Sequence, residues 1–434
     1  MRTLKIRAAA LLAVAAAIAV YPIATMATVA SRVWDFMRGD PADLKAHGVF
    51  GANTITNLIP DIYNALDVVS RELVGFIPAV STDMTFERAA VGQTVRSHVA
   101  PAASASDITP GVTPPDDGDQ TIGNVSMTIT KARRVPVRWN GEQSLGLNNG
   151  GPGRRNVMRD QFAQAMRTLC NEVESDLGAL HIYASRAYGT AGTTPFATAD
   201  DWTDASETLR ILKDNGAPGG QHQLVINTAA GAKFLGKQAR VDANGSDSIL
   251  RQGILLPVHG IDLRESAAVA TSTAGTGASA TTNTAGYAIG ATVITLASAG
   301  TGTIVAGDVI TFAGDTNKYV VASGDADVSN GGTITLAAPG LRKAIAASAT
   351  AITVVAAAAR NMAFARSAIA LATRAPALPE EGDLALDRQI VTDPRSGLSF
   401  EISMYAQYRQ VQYEVALAWG VKAVKTEHIA LLLG

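Results

Sequence analysis

The sequence predicts an α+β protein built from a succession of unlike segments, and three observations predict it. Residues 156–188 carry an apolar stripe at helical spacing, Phe162, Met166, Leu169, Val173, Leu177 and Leu180, with Arg159, Asp160, Arg167, Glu174 and Asp176 mostly off it. Residues 291–355 break into short β-branched runs parted by turn formers such as Gly307-Asp308, Gly314-Asp315 and Gly331-Gly332. Residues 398–434 alternate apolar and polar positions and close on an apolar run at 429–433.

Composition excludes several classes. A chain of 434 residues can bury a sizeable core in two or three domains. Lys and Arg number 36 against 38 Asp and Glu, a net charge of −2 that is too balanced to wrap nucleic acid, so a base-reading DNA binder is disfavoured. Charged residues make up 17%, below the usual share of about a quarter, with Ala, Gly and Thr in their place. Such a surface is poorly solvated on a lone monomer, which points to coverage by copies of itself. The single cysteine, Cys170, excludes an intrachain disulfide and any cysteine-based zinc or iron–sulfur site.

In chain order, Arg2, Lys5 and Arg7 precede an uncharged stretch at 8–31 with Pro22 and small residues at Ala24, Thr25 and Ala27. This is the pattern of an export signal or a short, proline-broken membrane span. Met37 leaves open a later start, with the preceding run an artefact of an upstream codon. Residues 52–80 place Ile55, Leu58, Ile62, Leu66, Val69 and Leu73 at spacings of three and four, predicting an amphipathic helical arm. Residues 85–139 read as strands at both ends around a middle holding Pro101, Pro110, Pro114, Pro115, Asp116, Asp117 and Asp119, which predicts a long projecting hairpin. Residues 191–266 mix helices at 204–213 and 229–239 with a strand at 223–226. Residues 267–286 are almost entirely Ala, Thr, Ser and Gly, predicting a flexible linker. Strands are then expected at 291–296, 302–305, 309–312, 318–321, 332–336 and 351–355, spaced as in a small β-barrel or sandwich. From residue 361 the α/β character is expected to resume, making the barrel an insertion.

No enzyme emerges. Gly150-Gly151-Pro152-Gly153 precedes a helix but lacks the Gly-Lys-Ser/Thr of a phosphate loop, so a helix-entry turn is the reading. The six histidines, His47, His98, His181, His222, His259 and His428, form no ligand spacing, no Gly-x-Ser-x-Gly elbow exists, and Cys170 sits in the helix stripe as an inert thiol. Asp116, Asp117 and Asp119 lack the later glutamate of a calcium loop and read as a solvated turn. The densest basic patch, Lys131, Arg133, Arg134 and Arg138, lies on the returning strand of the same hairpin. The two together suit docking of one copy's acidic tip on the next copy's basic base.

This order of segments resembles the major capsid proteins of tailed double-stranded-DNA bacteriophages, nearest to the coat proteins of short-tailed enterobacterial phages with an extra inserted domain. The resemblance rests on residues 52–80 as arm, 153–188 as spine helix, 291–336 (with AGDVITFAG at 306–314) as inserted domain, and VALAWGVKA at 415–423 as closing motif. It covers residues 52–434; residues 1–50 have no counterpart. It implies the following division: an N-terminal extension (1–50), the arm (51–84), an extended hairpin (85–139) and a peripheral domain with the spine helix (140–190). An axial domain (191–266 and 358–383) then flanks an inserted β-barrel (267–357), and peripheral strands close the chain (384–434). It implies a structural protein, not an enzyme, with no cofactor and no metal. Copies would form hexamers and pentamers of an icosahedral shell around double-stranded DNA, by way of a scaffold-assisted precursor that expands on packaging. Implied partners are other copies, a scaffolding protein, a portal, decoration proteins and DNA held non-specifically, with no membrane. The implied location is the virion capsid, and the host cytoplasm during assembly. The other reading, which takes residues 1–31 as a signal, is an exported β-rich surface-layer or adhesin protein.

Overall fold

The computed structural model describes residues 74–99, 105, 107–108, 110–113, 123–148, 154–198, 201–238, 255–392 and 397–434. The extension at 1–50, the arm up to 73, the glycine cluster at 150–153 and the acidic residues 116–119 lie outside them. The described chain enters through a single 3-10 turn, Ile77–Ala79. β1 (Ser81–Ala89), β2 (Thr94–Val99), β3 (Gly123–Thr128) and β4 (Lys131–Asn140) follow, then α1 (Gly141–Asn148) and α2 (Arg154–Gly178). After a 3-10 turn at Ala179–Tyr183 come β5 (Arg186–Tyr188), α3 (Thr203–Asp214), β6 (His222–Ile226), α4 (Thr228–Gln238) and β7 (Ile261–Glu265). Next are β8 (Val293–Leu296), β9 (Val309–Phe312), β10 (Lys318–Ser323), β11 (Gly332–Leu336) and β12 (Ile352–Val354). The chain closes with β13 (Arg360–Ala365), β14 (Ile369–Pro376), β15 (Ala385–Thr392), β16 (Ser399–Gln407), β17 (Gln410–Ala423) and β18 (Ile429–Leu433).

Two large sheets organise these elements. A six-stranded sheet runs β1-β14-β17-β16-β15, with β4 along the other edge of β17. Its axis is β17, which pairs with β16 through Gln410–Ala416, with β14 through Ala418–Ala423 and with β4 from Gln410 to Trp419. The buried stripe of α2 packs on this sheet, where the rings of Phe162 and Tyr413 meet edge-on with centroids 5.7 Å apart. The Trp139 indole N–H donates to Gln161 at 2.9 Å.

A ten-stranded sheet holds β12-β9-β10-β5-β18-β13-β6-β7, with β11 and β8 continuing from β10. Strands β18 and β13 are buried throughout, which explains why β18 reads as a continuous apolar run. Leu209 and Leu212 of α3 and Phe234 of α4 share a core with Leu224, Ile226 and Leu432.

Strands β8 to β12 surround their own core, including Ile294, Phe312, Val321, Ile334 and Leu341. Ladders run β8-β11-β10-β9-β12. Ile352 N–H then donates to Ala280 O at 2.8 Å, and Asn283 N–H to Thr295 O at 3.0 Å, so the backbone hydrogen bonds return to β8 through residues 280–283. β10 also pairs with β5, tying these strands into the larger sheet.

Several expectations differ from the structure. The hairpin is confined to β2 and β3, which pair only with each other among the described residues. β1 and β4, expected in its shafts, are recruited by β14 and β17. The helix expected over 156–188 is α-helical only to Gly178 and then tightens into the 3-10 turn at Ala179–Tyr183; at Gly178 a Cβ would stand 2.4 Å from the carbonyl oxygen of Ala268, so the close approach there requires glycine. Residues 302–305 form only a single bridge, Ile304 with Asp325, not a strand. The stretch beyond 360 carries strands and 3-10 turns, with no α-helix among its described residues.

The stretch at 267–286, expected to be flexible, is a strap held to the body. Gly277 N–H donates to Thr303 O at 2.7 Å, Gly275 N–H to Asp308 Oδ1 at 3.0 Å, and Ala280 and Thr282 are buried. Its small residues let backbone approach backbone: a Cβ on Gly275 would lie 2.5 Å from Asp308 Oδ2.

Candidate functional site

The basic residues on β4 are brought beside α2 and β17. Lys131 Nζ meets Asp176 Oδ1 at 2.7 Å, and Asp176 Oδ2 accepts the Trp419 indole N–H at 2.9 Å. Arg133 faces Glu172 at 3.5 Å, and Arg134 binds Glu414 at 2.7 Å, a pair that raises the Arg134 pKa above its ordinary value. Three of the four cations are therefore paired with carboxylates of their own chain. Arg138 is exposed and lines a groove of about 490 Å³ between β4 and α2, with Val135, Val137, Val157, Asp160 and Ala165. Asp116, Asp117 and Asp119 lie outside the described residues. Ile108 and Val112, in the same connection, are fully exposed.

A second cluster was not anticipated. Glu174 of α2, expected off the stripe, is buried. Its carboxylate accepts Phe76 N–H at 3.1 Å, Ile77 N–H at 2.7 Å and the Ser266 hydroxyl at 2.8 Å. Burial pushes this carboxyl above the ordinary range, while the backbone amides and Ser266 pull the other way. The sequence did contain a signal. Met158, Phe162, Met166 and Cys170 form a buried series at intervals of four, and Glu174 is its next member.

Other buried polar groups stitch the parts together. Asp308 accepts Gly275 N–H and Val305 N–H, the latter at 2.8 Å. Arg360 is buried, donates through Nε to Ser272 at 2.8 Å, and is held below the ordinary arginine range by burial. His181 Nδ1 lies 3.1 Å from Gly178 O, and burial pushes its pKa down, with Arg360 adding to the effect. A polar pocket of about 380 Å³ is lined by Thr190, Thr193, Asp201, Asp204, Thr316 and Lys318, where burial lowers the lysine pKa. Among the described residues no cluster of three or more His, Cys, Asp and Glu is placed to hold a metal, and no helix is long and apolar enough to cross a membrane.

No family model matches the chain, and no curated protein matches it in sequence. Among solved structures, the chain is similar to one titled as the capsid structure of the cyanophage P-SCSP1u, at 10% identity over 82% of this chain and 86% of that chain, TM-score 0.43. It is similar to the mature capsid of bacteriophage PhiM1 at 12% identity over 83% and 86%, TM-score 0.40. It is also similar to a virus-like particle from Pyrococcus furiosus at 12% identity over 86% and 98%, TM-score 0.37.

Proposed function

We propose that the chain is the major capsid protein of a tailed double-stranded-DNA bacteriophage. The observation that carries this reading is the succession of parts along one chain. A two-stranded hairpin pairs with no other described strand, and a 25-residue helix lies along a sheet whose strands come from both ends of the chain. A second sheet with two helices follows, and strands with their own core stand between β7 and β13. On this reading residues 267–357 are an inserted β-barrel that braces the subunit, while 85–139 and 51–84 are extended elements laid across neighbours.

Copies would make heterologous contacts that close as hexamers and pentamers, weak singly and strong by multiplicity. The hairpin tip, with Asp116, Asp117 and Asp119, would dock on the next copy's Lys131, Arg133, Arg134 and Arg138. The groove beside Arg138 and the exposed Ile108 and Val112 support that contact. Assembly in the host cytoplasm on a scaffolding protein, a portal vertex, decoration proteins, expansion on packaging and non-specific contact with DNA complete the reading.

The test is negative-stain electron microscopy of protein expressed from Met37, with and without a co-expressed scaffold, together with intact mass of the full-length product. Closed shells of uniform size are expected. The basic start and uncharged run of residues 1–31 favour the exported surface-layer or adhesin reading, and soluble monomers or open sheets, with mass showing cleavage near Ala27, would replace the capsid reading with it.

A further inference from the structure

We infer that Glu174 is a latch that docks the root of the N-terminal segment onto α2 and so decides whether that root is held or released. Residues 75–80 form a short plug in which Phe76, Ile77, Ala79 and Val80 are wholly buried. Among the described residues the plug has no strand partner; its leading amides go to one side chain. Phe76 N–H and Ile77 N–H each reach a different oxygen of Glu174, and Gly75 N–H adds to the same field. Ser266, just past β7, donates to the oxygen that Phe76 uses. One carboxylate thus gathers the plug, the long helix and the end of β7.

Two features separate this arrangement from ordinary core packing. Buried backbone N–H groups are nearly always satisfied, so without Glu174 those at 76 and 77 lose their acceptors together. A buried carboxylate held by neutral donors is also an expensive way to fix a segment that apolar contacts alone would hold, and we read its retention at that cost as a device that specifies one arrangement of the segment over another. These bonds hold residues 75–80 on α2, so their loss would release the plug from the helix. The inference rests on the capsid reading only for its purpose: a shell that changes packing needs arms that let go.

The test is amide exchange, read by mass spectrometry, on the unassembled full chain and its variants. In Glu174→Gln one acceptor oxygen becomes a donor facing N–H groups. Exchange of the peptide spanning 75–80 is expected to rise more than about tenfold while β17 and β18 stay protected. Ser266→Ala removes one donor to the carboxylate and should raise the same peptide by about fivefold, and it decides the matter if Glu174→Gln does not fold. Asp176→Asn, on the same helix but bonded to Trp419 and Lys131, should leave the plug unchanged. Unaltered exchange at 75–80, opening of β17 together with the plug, or an equal response to Asp176→Asn would overturn the latch. Failure of the wild-type chain to form shells, with the plug released in Glu174→Gln as expected, would remove the capsid reading and leave the latch standing.

Discussion

Gly178, the last residue of α2, sits so close to Ala268 that a Cβ on it would stand 2.4 Å from the Ala268 carbonyl oxygen. The strap at 267–286 therefore passes the last residue of the helix so closely that a side chain has no room, and the obstacle is backbone that cannot rotate away. Gly178→Ala should cost about 1–3 kcal/mol, as overpacking does, in chemical denaturation of the isolated chain. Wild-type stability would mean that the strap yields.

Asp176 joins two partners that the sequence separates widely, Lys131 and the buried Trp419. Asp176→Ala leaves the indole N–H without an acceptor, an expected loss of about 1–3 kcal/mol. In a double-mutant cycle with Trp419→Phe most of that loss should disappear, because no orphaned donor remains. Simple additivity would show that the indole bond contributes nothing.

Asp308 anchors the strap through Gly275 N–H and supports its own turn through Val305 N–H. Asp308→Ala should cost about 1–3 kcal/mol, with the peptide spanning 270–280 the first to lose amide protection. Uniform loss of protection across β8 to β12 would contradict a local anchoring role.

His181 is buried neutral with its pKa below the ordinary 6.5, from burial first and Arg360 last, while its bond to Gly178 O opposes the shift. A depressed histidine gives stability that is present above the unfolded value and lost as pH falls through the folded one. Denaturation midpoints should therefore fall as pH is lowered below about 6.5, and His181→Asn, which keeps an amide donor near Gly178, should flatten that slope. His222 shifts the same way, chiefly through burial, and adds to that slope. An unchanged slope in His181→Asn would exclude the residue as a source.

Reversing Asp116, Asp117 and Asp119 to Lys should weaken assembly as followed by light scattering, with partial rescue by Glu at Arg133, Arg134 and Arg138. Arg138→Glu should rescue best, because Arg133 and Arg134 face Glu172 and Glu414 within their own chain and reversing them sets like charges together. Normal assembly of the triple Asp variant would eliminate the tip-to-base contact.

The sequence by itself determined what depends on neighbours a few residues away. The stripe Phe162 to Leu177 forms a helix, the β-branched runs between glycine turns form short strands except at 302–305, and the apolar run at 429–433 is buried. A balanced charge and one cysteine exclude the chemistries that need more. Tertiary structure decided what depends on partners hundreds of residues off. Arg88 pairs with Ala375 and Trp139 with Val411, so strands that read as hairpin shafts became members of a sheet. A stretch of Ala, Thr, Ser and Gly reads as a linker because it has no large side chain. It is ordered because small residues let Gly277 and Ala280 bond to backbone elsewhere, a contact that local pattern does not encode. Glu174 shows the same limit: its spacing places it on the buried face, and only the return of residues 76 and 77 supplies the amides that make a buried carboxylate tolerable.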